Sequence, residues 1–241
     1  MTAQPAIAVP PLAESDPASI VFDTPTGYPL TLRSDGAQLA GELAFPAASA
    51  PPLGLAVVVQ PASLRDAGPY AIGQALLAAG YAVFRIDLLT PNDTRYPDLL
   101  RDVALLESRL ASCLQYLQGN DCRILGLPSG LGLGIVASGG AAPAALRLTA
   151  SRQGACRVLA CRNGFIDQAG RHALGYLSVP LLYVGEEHAR HGDSEALPST
   201  ETSAAQHALT LINAPHDLIV SQRRQDTAQA VTAWLRRWLH P

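Results

Sequence analysis

One stretch decides the fold: Cys122-Arg-Ile-Leu-Gly126-Leu-Pro-Ser129-Gly-Leu-Gly132. Its first half is a short apolar run, which is typical of a buried strand, and its second half is rich in glycine. This pattern predicts a strand over Arg123–Leu127, a sharp turn, and a helix of small residues that continues through Ala137. Such a strand-turn-helix unit places the stretch at the centre of a layered α/β sheet.

The composition of the whole chain suits one large core. Of the 241 residues, 48% are hydrophobic and 15% are charged, and the net charge is -3. We expect a flexible arm over residues 1–19 and a single domain over residues 20–241. All 17 basic residues are arginine, which excludes a Schiff-base lysine and a P-loop lysine. No basic patch stands out, so nucleic acid is not predicted as a partner.

The cysteines and the termini bear on compartment and cofactors. Cys113, Cys122, Cys156 and Cys161 are scattered through predicted core elements, which favours buried free thiols in a reducing compartment. No pair of His or Cys has metal-ligand spacing, so no metal is predicted. A signal peptide requires basic residues near its start, but none precedes Arg33. No apolar run is long enough to cross a bilayer. A cytoplasmic protein without membrane contact is predicted.

Apolar patterns along the chain predict alternating strands and helices. Residues 20–45 alternate around Asp35-Gly36, which predicts an antiparallel hairpin. Further strands are predicted at Leu55–Val59, Tyr81–Ile86, Val158–Ala160, Val179–Val184 and Ala208–Ile212, and helices at Tyr70–Ala79, 97–118, Ala141–Ala150 and 221–239. The alternation with short connections predicts a mostly parallel, doubly wound sheet.

Polar residues follow four of the predicted strands, at the sheet edge where α/β proteins bind ligands. These segments are Gln60–Ser63, Pro128-Ser129, Glu186–His188 and His216-Asp217. Their chain order matches an oxyanion loop, a nucleophile, an acid and a histidine, which is the order of an α/β-hydrolase triad.

The chain resembles the dienelactone-hydrolase-like branch of the α/β-hydrolases over about residues 30–239. It is most similar to short bacterial members, some of which are fused to phosphoribosyltransferase domains. Two motifs carry the resemblance besides the order of segments. One is Asp87-Leu-Leu-Thr-Pro91 after a strand, and the other is Arg162-Asn-Gly-Phe-Ile-Asp167-Gln-Ala-Gly170, similar to R-G-G-x-x-D-x-A-G. The resemblance implies an α/β-hydrolase fold and ester or lactone hydrolysis without a metal or organic cofactor.

The oxyanion loop and the elbow depart from the family pattern. Gln60-Pro-Ala-Ser63 replaces the usual H-G-S-G, and its proline has no backbone N–H to donate. Gln60 could offer its amide N–H instead, and the oxyanion hole is expected to consist of the Gln60–Ser63 loop and backbone N–H groups near Gly130. In the elbow, the G-x-S-x-G register puts Pro128 at the nucleophile position, so that Ser129 is the remaining hydroxyl there. Ser129 is equally suited to cap a helix.

The acid also departs from the pattern, whereas the histidine is retained. Where the family has an aspartate, this chain has His188, and Glu187 beside it, or Glu186 before that, is the candidate acid. His216 matches the family histidine. Two hypotheses follow. The first is an active ester or lactone hydrolase with Ser129 as nucleophile, His216 as base and Glu187 as acid. The second, which the departures favour, is a degenerate or weakly active hydrolase that uses the scaffold for binding or regulation. A small ester-like molecule is the expected ligand, and both a monomer and a homodimer fit.

Overall fold

The structure is a computed structural model, and the described part of the chain comprises residues 27–47, 50–62, 67–119, 126–164, 166–170, 172–186, 207–212 and 220–239. The predicted arm over residues 1–19 lies outside these ranges, and so do Ser63, Glu187 and His216.

The described strands form a single eight-stranded sheet. Its order is β1-β2-β4-β3-β5-β6-β7-β8, and all pairs from β4 to β8 are parallel. The strands are β1 Gly27–Ser34, β2 Ala37–Ala44, β3 Leu55–Gln60, β4 Ala82–Asp87, β5 Leu133–Ser138, β6 Val158–Arg162, β7 Leu181–Glu186 and β8 His207–Ile212. The predicted mostly parallel sheet is confirmed.

The predicted N-terminal hairpin is also confirmed. β1 and β2 pair antiparallel up to Ser34 and Ala37, and Asp35 and Gly36 have φ angles of 48° and 74°. Two positive φ values in a two-residue loop match the right-handed twist of the flanking strands. β2 then pairs antiparallel with β4, which attaches the hairpin to the parallel part of the sheet.

Helices cover both faces of the parallel strands. They are α1 Gly68–Ala78, α2 Val103–Gln118, α3 Ala141–Ser151, α4 Ala173–Tyr176 and α5 Val220–Leu239. α1 packs against α5 on one face, and α2 packs against α3 on the other. Residues of β5 alternate accordingly: Ile135 and Ala137 join the α2/α3 core, and Val136 joins the α1/α5 core. No helix in the described ranges is long and apolar enough to span a bilayer.

The segment around residue 130 differs from its prediction. Leu127 and Pro128 belong to no strand, and the central strand is β5, Leu133–Ser138, where a helix was expected. All six residues of β5 are buried between β3 and β6. β-branched Ile135 and Val136 suit such a strand, and its backbone groups pair on both sides. The glycine-rich turn therefore precedes the central strand and does not follow it.

The predicted helix over 97–118 is also divided. Its first part is a 3-10 turn over Pro97–Arg101. Two further 3-10 turns lie outside this range, at Asp93–Arg95 and Ile166–Ala169. Asp102 separates Pro97–Arg101 from α2, and its Oδ1 accepts a 3.0 Å hydrogen bond from the backbone N–H of Leu105. Aspartate in this position is a strong N-cap, because it satisfies an amide at the helix start. Because this cap begins a new helix at Val103, the predicted helix is divided at Asp102.

A buried arginine on α2 fixes the loop after β4. Arg109 is 4% exposed and donates to the Leu88 carbonyl at 2.7 Å and to Asp93 Oδ2 at 2.8 Å. The backbone N–H and the hydroxyl of Thr90 donate to the same carboxylate oxygen. Burial raises the pKa of Asp93, but hydrogen bonds from Thr90 and Arg109 outweigh it, and the pKa lies below its usual value. This ion pair determines where the loop returns to α2.

We expect the substitution Asp93→Ala to destabilise the fold by about 3 kcal/mol, because it leaves the buried Arg109 charge without a partner. Urea unfolding followed by circular dichroism measures the loss. Arg147→Ala is the matched control: Arg147 pairs with Glu107 but is half exposed, and its loss should cost below about 1 kcal/mol. Equal effects of the two substitutions would contradict the structural role of Arg109.

The same ion pair predicts a pH dependence. Because the pKa of Asp93 is lowered in the folded state, its contribution is complete above the unfolded value of about 3.9 and is lost as the pH falls through the folded value. Wild type and Asp93→Asn should therefore differ most in unfolding free energy near neutral pH. The difference should shrink on acidification below about pH 4. A constant difference down to low pH would argue against this linkage.

Candidate functional site

The structure separates the predicted site residues. Gln60 ends β3 at the carboxyl edge of the parallel strands, whereas Ser129 and Gly130 lie in the turn that precedes β5. β5 has six residues and rises about 3.3 Å per residue, so its length separates the two edges of the sheet. Ser129 and Gly130 thus do not join Gln60, because the strand predicted before them follows them instead. Ser63, Glu187 and His216 lie outside the described ranges.

A different strand-to-helix turn lies at the carboxyl edge. β5 ends at Ser138, and two residues, Gly139 and Gly140, connect it directly to α3. The backbone N–H of Gly139 donates to the Arg162 carbonyl at 2.9 Å, and the Gly139 carbonyl accepts from Ala142 N–H at 3.0 Å. Gly139 has a φ of 59°. This sharp turn after a central parallel strand is where the α/β-hydrolase fold carries its nucleophile.

Glycine occupies the strained position of the turn. Among the described residues, a Cβ at Gly139 would meet only Pro61 Cδ, at 4.0 Å, and no side chain is present at this position. Ser138 precedes it, is 3% exposed, and its buried Oγ has no hydrogen-bond partner within the described ranges. By strand alternation it faces α1 and α5, because Val136 does so. The turn therefore presents no hydroxyl at the place of a nucleophile.

Backbone packs directly against backbone around this turn. A Cβ at Gly140 would lie 2.0 Å from the Leu100 carbonyl oxygen. A Cβ at Gly164 would lie 2.4 Å from Ala142 Cβ and 2.5 Å from the Gly139 carbonyl oxygen. The loops that follow β4 and β6 thus both rest on the turn after β5. Their closeness leaves no room for any side chain at these two glycines.

Four polar residues end adjacent strands and form a row across the sheet. In the strand ladders Gln60 pairs with Asp87 and Ser138 pairs with Arg162, while Val59 pairs with Ala137 and so brings Gln60 beside Ser138. Gln60 Nε2 donates to Asp87 Oδ1 at 2.9 Å. One N–H of the predicted oxyanion donor is therefore bonded to a carboxylate.

The row lies beneath the start of α1. A Cβ at Gly68 would lie 2.6 Å from Arg162 Cζ and 2.8 Å from both terminal nitrogens, so the guanidinium packs flat against the first turn of the helix. Arg162 thereby holds two parts of the edge. Its carbonyl accepts from Gly139, and its side chain contacts α1, which follows the predicted oxyanion loop.

The described cysteines are poor candidates for chemistry. Cys113, Cys156 and Cys161 are buried free thiols, as predicted. Burial raises the pKa of Cys156 to about 11 and also raises the pKa of Cys161, so both remain protonated at neutral pH. Within the described ranges, no group of three His, Cys, Asp or Glu side chains could hold a metal ion.

Sequence reasoning missed the turn after β5. The residues Ala137-Ser-Gly139-Gly-Ala141 do not match G-x-S-x-G, whereas the glycines around Ser129 resemble that motif more closely. One local signal points to the correct turn. A buried apolar run, Leu133–Ala137, is followed by two glycines and then by an alanine-rich helix.

Solved structures show what this chain is similar to. No protein-family model and no curated protein matches the sequence. A dienelactone hydrolase from Anabaena variabilis is similar at 23% identity and a TM-score of 0.70, over 90% of this chain and 99% of its own. The esterase domain of a Rhodothermus marinus protein is similar at 15% identity and a TM-score of 0.60, over 89% and 99% of the two chains. A serine hydrolase without a lid from Xanthomonas campestris is similar at 16% identity and a TM-score of 0.60, over 88% and 94%.

These likenesses establish the fold. The chain has the α/β-hydrolase fold, with the N-terminal antiparallel hairpin that was predicted. In this fold the turn that joins the central strand to the following helix is the nucleophile elbow. The turn from Ser138 to Gly140 occupies that place.

The packing at the elbow predicts the effect of the smallest possible side chain. We expect Gly164→Ala to lower the unfolding free energy by about 1–3 kcal/mol, because the added methyl overlaps the Gly139 carbonyl and Ala142. Gly175→Ala is the matched control, since a Cβ there meets nothing within 4 Å. Its stability should stay within about 0.5 kcal/mol of wild type. Chemical denaturation measures both, and a neutral Gly164→Ala would contradict the packing described.

Proposed function

We propose that this protein binds a small ester-like ligand on an α/β-hydrolase scaffold and has lost hydrolysis through a serine nucleophile. One observation supports the proposal above all others. The residue with positive φ in the elbow is Gly139, which has no side chain. Nucleophilic catalysis needs a hydroxyl or thiol within hydrogen-bond reach of a base. A glycine there offers neither, although the turn itself is intact.

The neighbouring groups do not replace the lost hydroxyl. Ser138 is directed into the protein, and its exposed fraction is 3%. Pro61, in the loop after β3, has no backbone N–H for an oxyanion, and the Gln60 amide is bonded to Asp87. A missing oxyanion donor alone reduces the rate of acyl transfer about 100- to 1,000-fold. Stabilisation of the transition state is thus weakened together with the nucleophile.

The alternative is an active ester or lactone hydrolase that uses Ser129, His216 and Glu187. It requires Ser129 to meet the histidine at one edge of the sheet. Ser129 precedes β5, whereas β7 leads into the segment of Glu187 from its carboxyl end. Parallel strands place these two ends at opposite edges of the sheet. The geometry therefore favours binding without this triad.

A fluorophosphonate probe tests the loss of the nucleophile. Wild type should remain unlabelled and should hydrolyse phenyl acetate at the buffer rate. Ser129→Ala and Ser138→Ala should behave in the same way, and mass spectrometry of the intact protein measures the adduct. Labelling of wild type that disappears in Ser129→Ala would support the active alternative and overturn the proposal.

Ligand binding tests the other half of the proposal. Phenyl acetate and dihydrocoumarin, an ester and a lactone, should show saturable saturation-transfer NMR signals and should stay intact in the sample. Gly139→Asn should weaken them, because its side chain enters the space beside Pro61 while asparagine tolerates a positive φ. Gly36→Asn in the hairpin turn, which also has a positive φ, is the control for a general effect of such a substitution. If neither phenyl acetate nor dihydrocoumarin bound saturably, ligand binding at this edge would be refuted.

A further inference from the structure

A cavity of about 310 Å³ lies at the edge of the sheet opposite the elbow. The glycine-rich turn before β5, which contributes nothing to the elbow, forms one of its walls. The other walls come from the end of α2, the starts of β3 and β5, and the segment before β6. The lining residues are Leu55, Leu117, Gln118, Gly119, Leu127, Pro128, Ser129, Gly130, Leu131, Leu133, Gly154, Cys156 and Arg157. The volume is at the lower end of the range for small-molecule sites.

Apolar side chains form part of the floor of this cavity, beside polar groups of the backbone and rim. Four of the lining leucines and one cysteine are buried, namely Leu55, Leu117, Leu127, Leu133 and Cys156. The Cys156 thiol bonds to Thr149, and its raised pKa keeps it uncharged, so it acts as an apolar wall. An apolar floor at the surface gains free energy when a hydrocarbon group covers it.

The described part of the rim carries one charge. Arg157 is exposed and is the only charged residue among the described lining residues, which include no Asp or Glu. In the described part of the chain no carboxylate lies within salt-bridge distance of it. Its backbone N–H donates to the Leu133 carbonyl at 2.8 Å, and its Cδ lies 3.4 Å from where a Cβ of Gly132 would be. The start of β5 thus holds the arginine beside the cavity.

The other polar groups of the rim differ in their availability. Gln118 Nε2 donates to the Ala155 carbonyl at 3.3 Å, which ties the end of α2 to the segment before β6. Ser129 is exposed, and its hydroxyl can donate or accept. α2 ends at Gln118, and the carbonyl end of a helix disfavours an anion. An anionic group therefore fits at Arg157 and Ser129 better than at the carbonyl end of α2.

We propose that this cavity is a second ligand site, which binds a small apolar carboxylic acid. The hydrocarbon part lies on the buried leucines, and the carboxylate pairs with Arg157 and accepts from the Ser129 hydroxyl. Charge-assisted hydrogen bonds of this kind are about twice as strong as neutral ones. The proposal gives Ser129 a binding role and does not depend on the elbow.

Calorimetric titration with octanoate and octanamide tests the site. The two probes share a hydrocarbon chain and differ in charge. Wild type should bind octanoate about tenfold more tightly than octanamide, because only the carboxylate pairs with the arginine. Arg157→Gln should lose this preference, and Ser129→Trp should lose both probes, since its ring fills the mouth of the cavity. Both positions are exposed, and thermal melting checks that the variants fold.

Arg33→Gln is the matched control, because Arg33 is an exposed arginine on β1, remote from the cavity lining. It should bind both probes like wild type. Octanoate binding that is unchanged by Arg157→Gln, or no saturable binding of either probe to wild type, would overturn the proposal. The test is separate from that of the elbow, because Gly139→Asn should leave octanoate binding unchanged. Loss of octanoate binding in that variant would place the ligand at the elbow instead and refute a second site.

Discussion

The contact of three backbone segments at the end of β5 constrains the rest of the functional edge. The Leu100 carbonyl rests on Gly140, and Gly164 rests on the Gly139 carbonyl. Each contact is too close for a side chain, so the loops after β4, β5 and β6 can meet only through glycine. The loop after β4 is held in turn by Arg109 through Leu88 and Asp93. Arg109 on α2 thus helps to position the loop that packs on the turn after β5, although it does not itself belong to that loop.

The polar row at the same edge connects the loops around the turn after β5. Gln60 and Asp87 bond to each other, and Arg162 links the elbow to the start of α1. These contacts stabilise the loops through side chains that lie beside the reacting position and not in it. They do not involve a side chain at position 139. Glycine at this position avoids the strain that a side chain would carry at its positive φ.

Most of the fold could be predicted because its signals are local. The buried runs of β3 and β6, the Asp35-Gly36 turn and the amphipathic α5 each carry a period or a turn residue that needs no distant partner. The segment Leu133–Ser138 was misassigned because its leucine and alanine favour a helix, whereas Ile135 and Val136 favour a strand, and so short an apolar run does not decide between the two. Only pairing with β3 and β6 makes it the central strand. The prediction that Ser129 follows the central strand depended on that assignment. Because the strand follows Ser129 instead, this residue lies at the opposite edge of the sheet.

By itself, the sequence determined that the chain is a mostly parallel α/β sheet with a hairpin before it. Only the tertiary structure decided which turn is the elbow. It did so through the φ of 59° at Gly139 and through the register that sets Ser138 against Arg162. The physical reason is that hydrophobic periodicity acts over neighbouring residues. Strand pairing and the close approach of loops, in contrast, join residues that are remote in the chain.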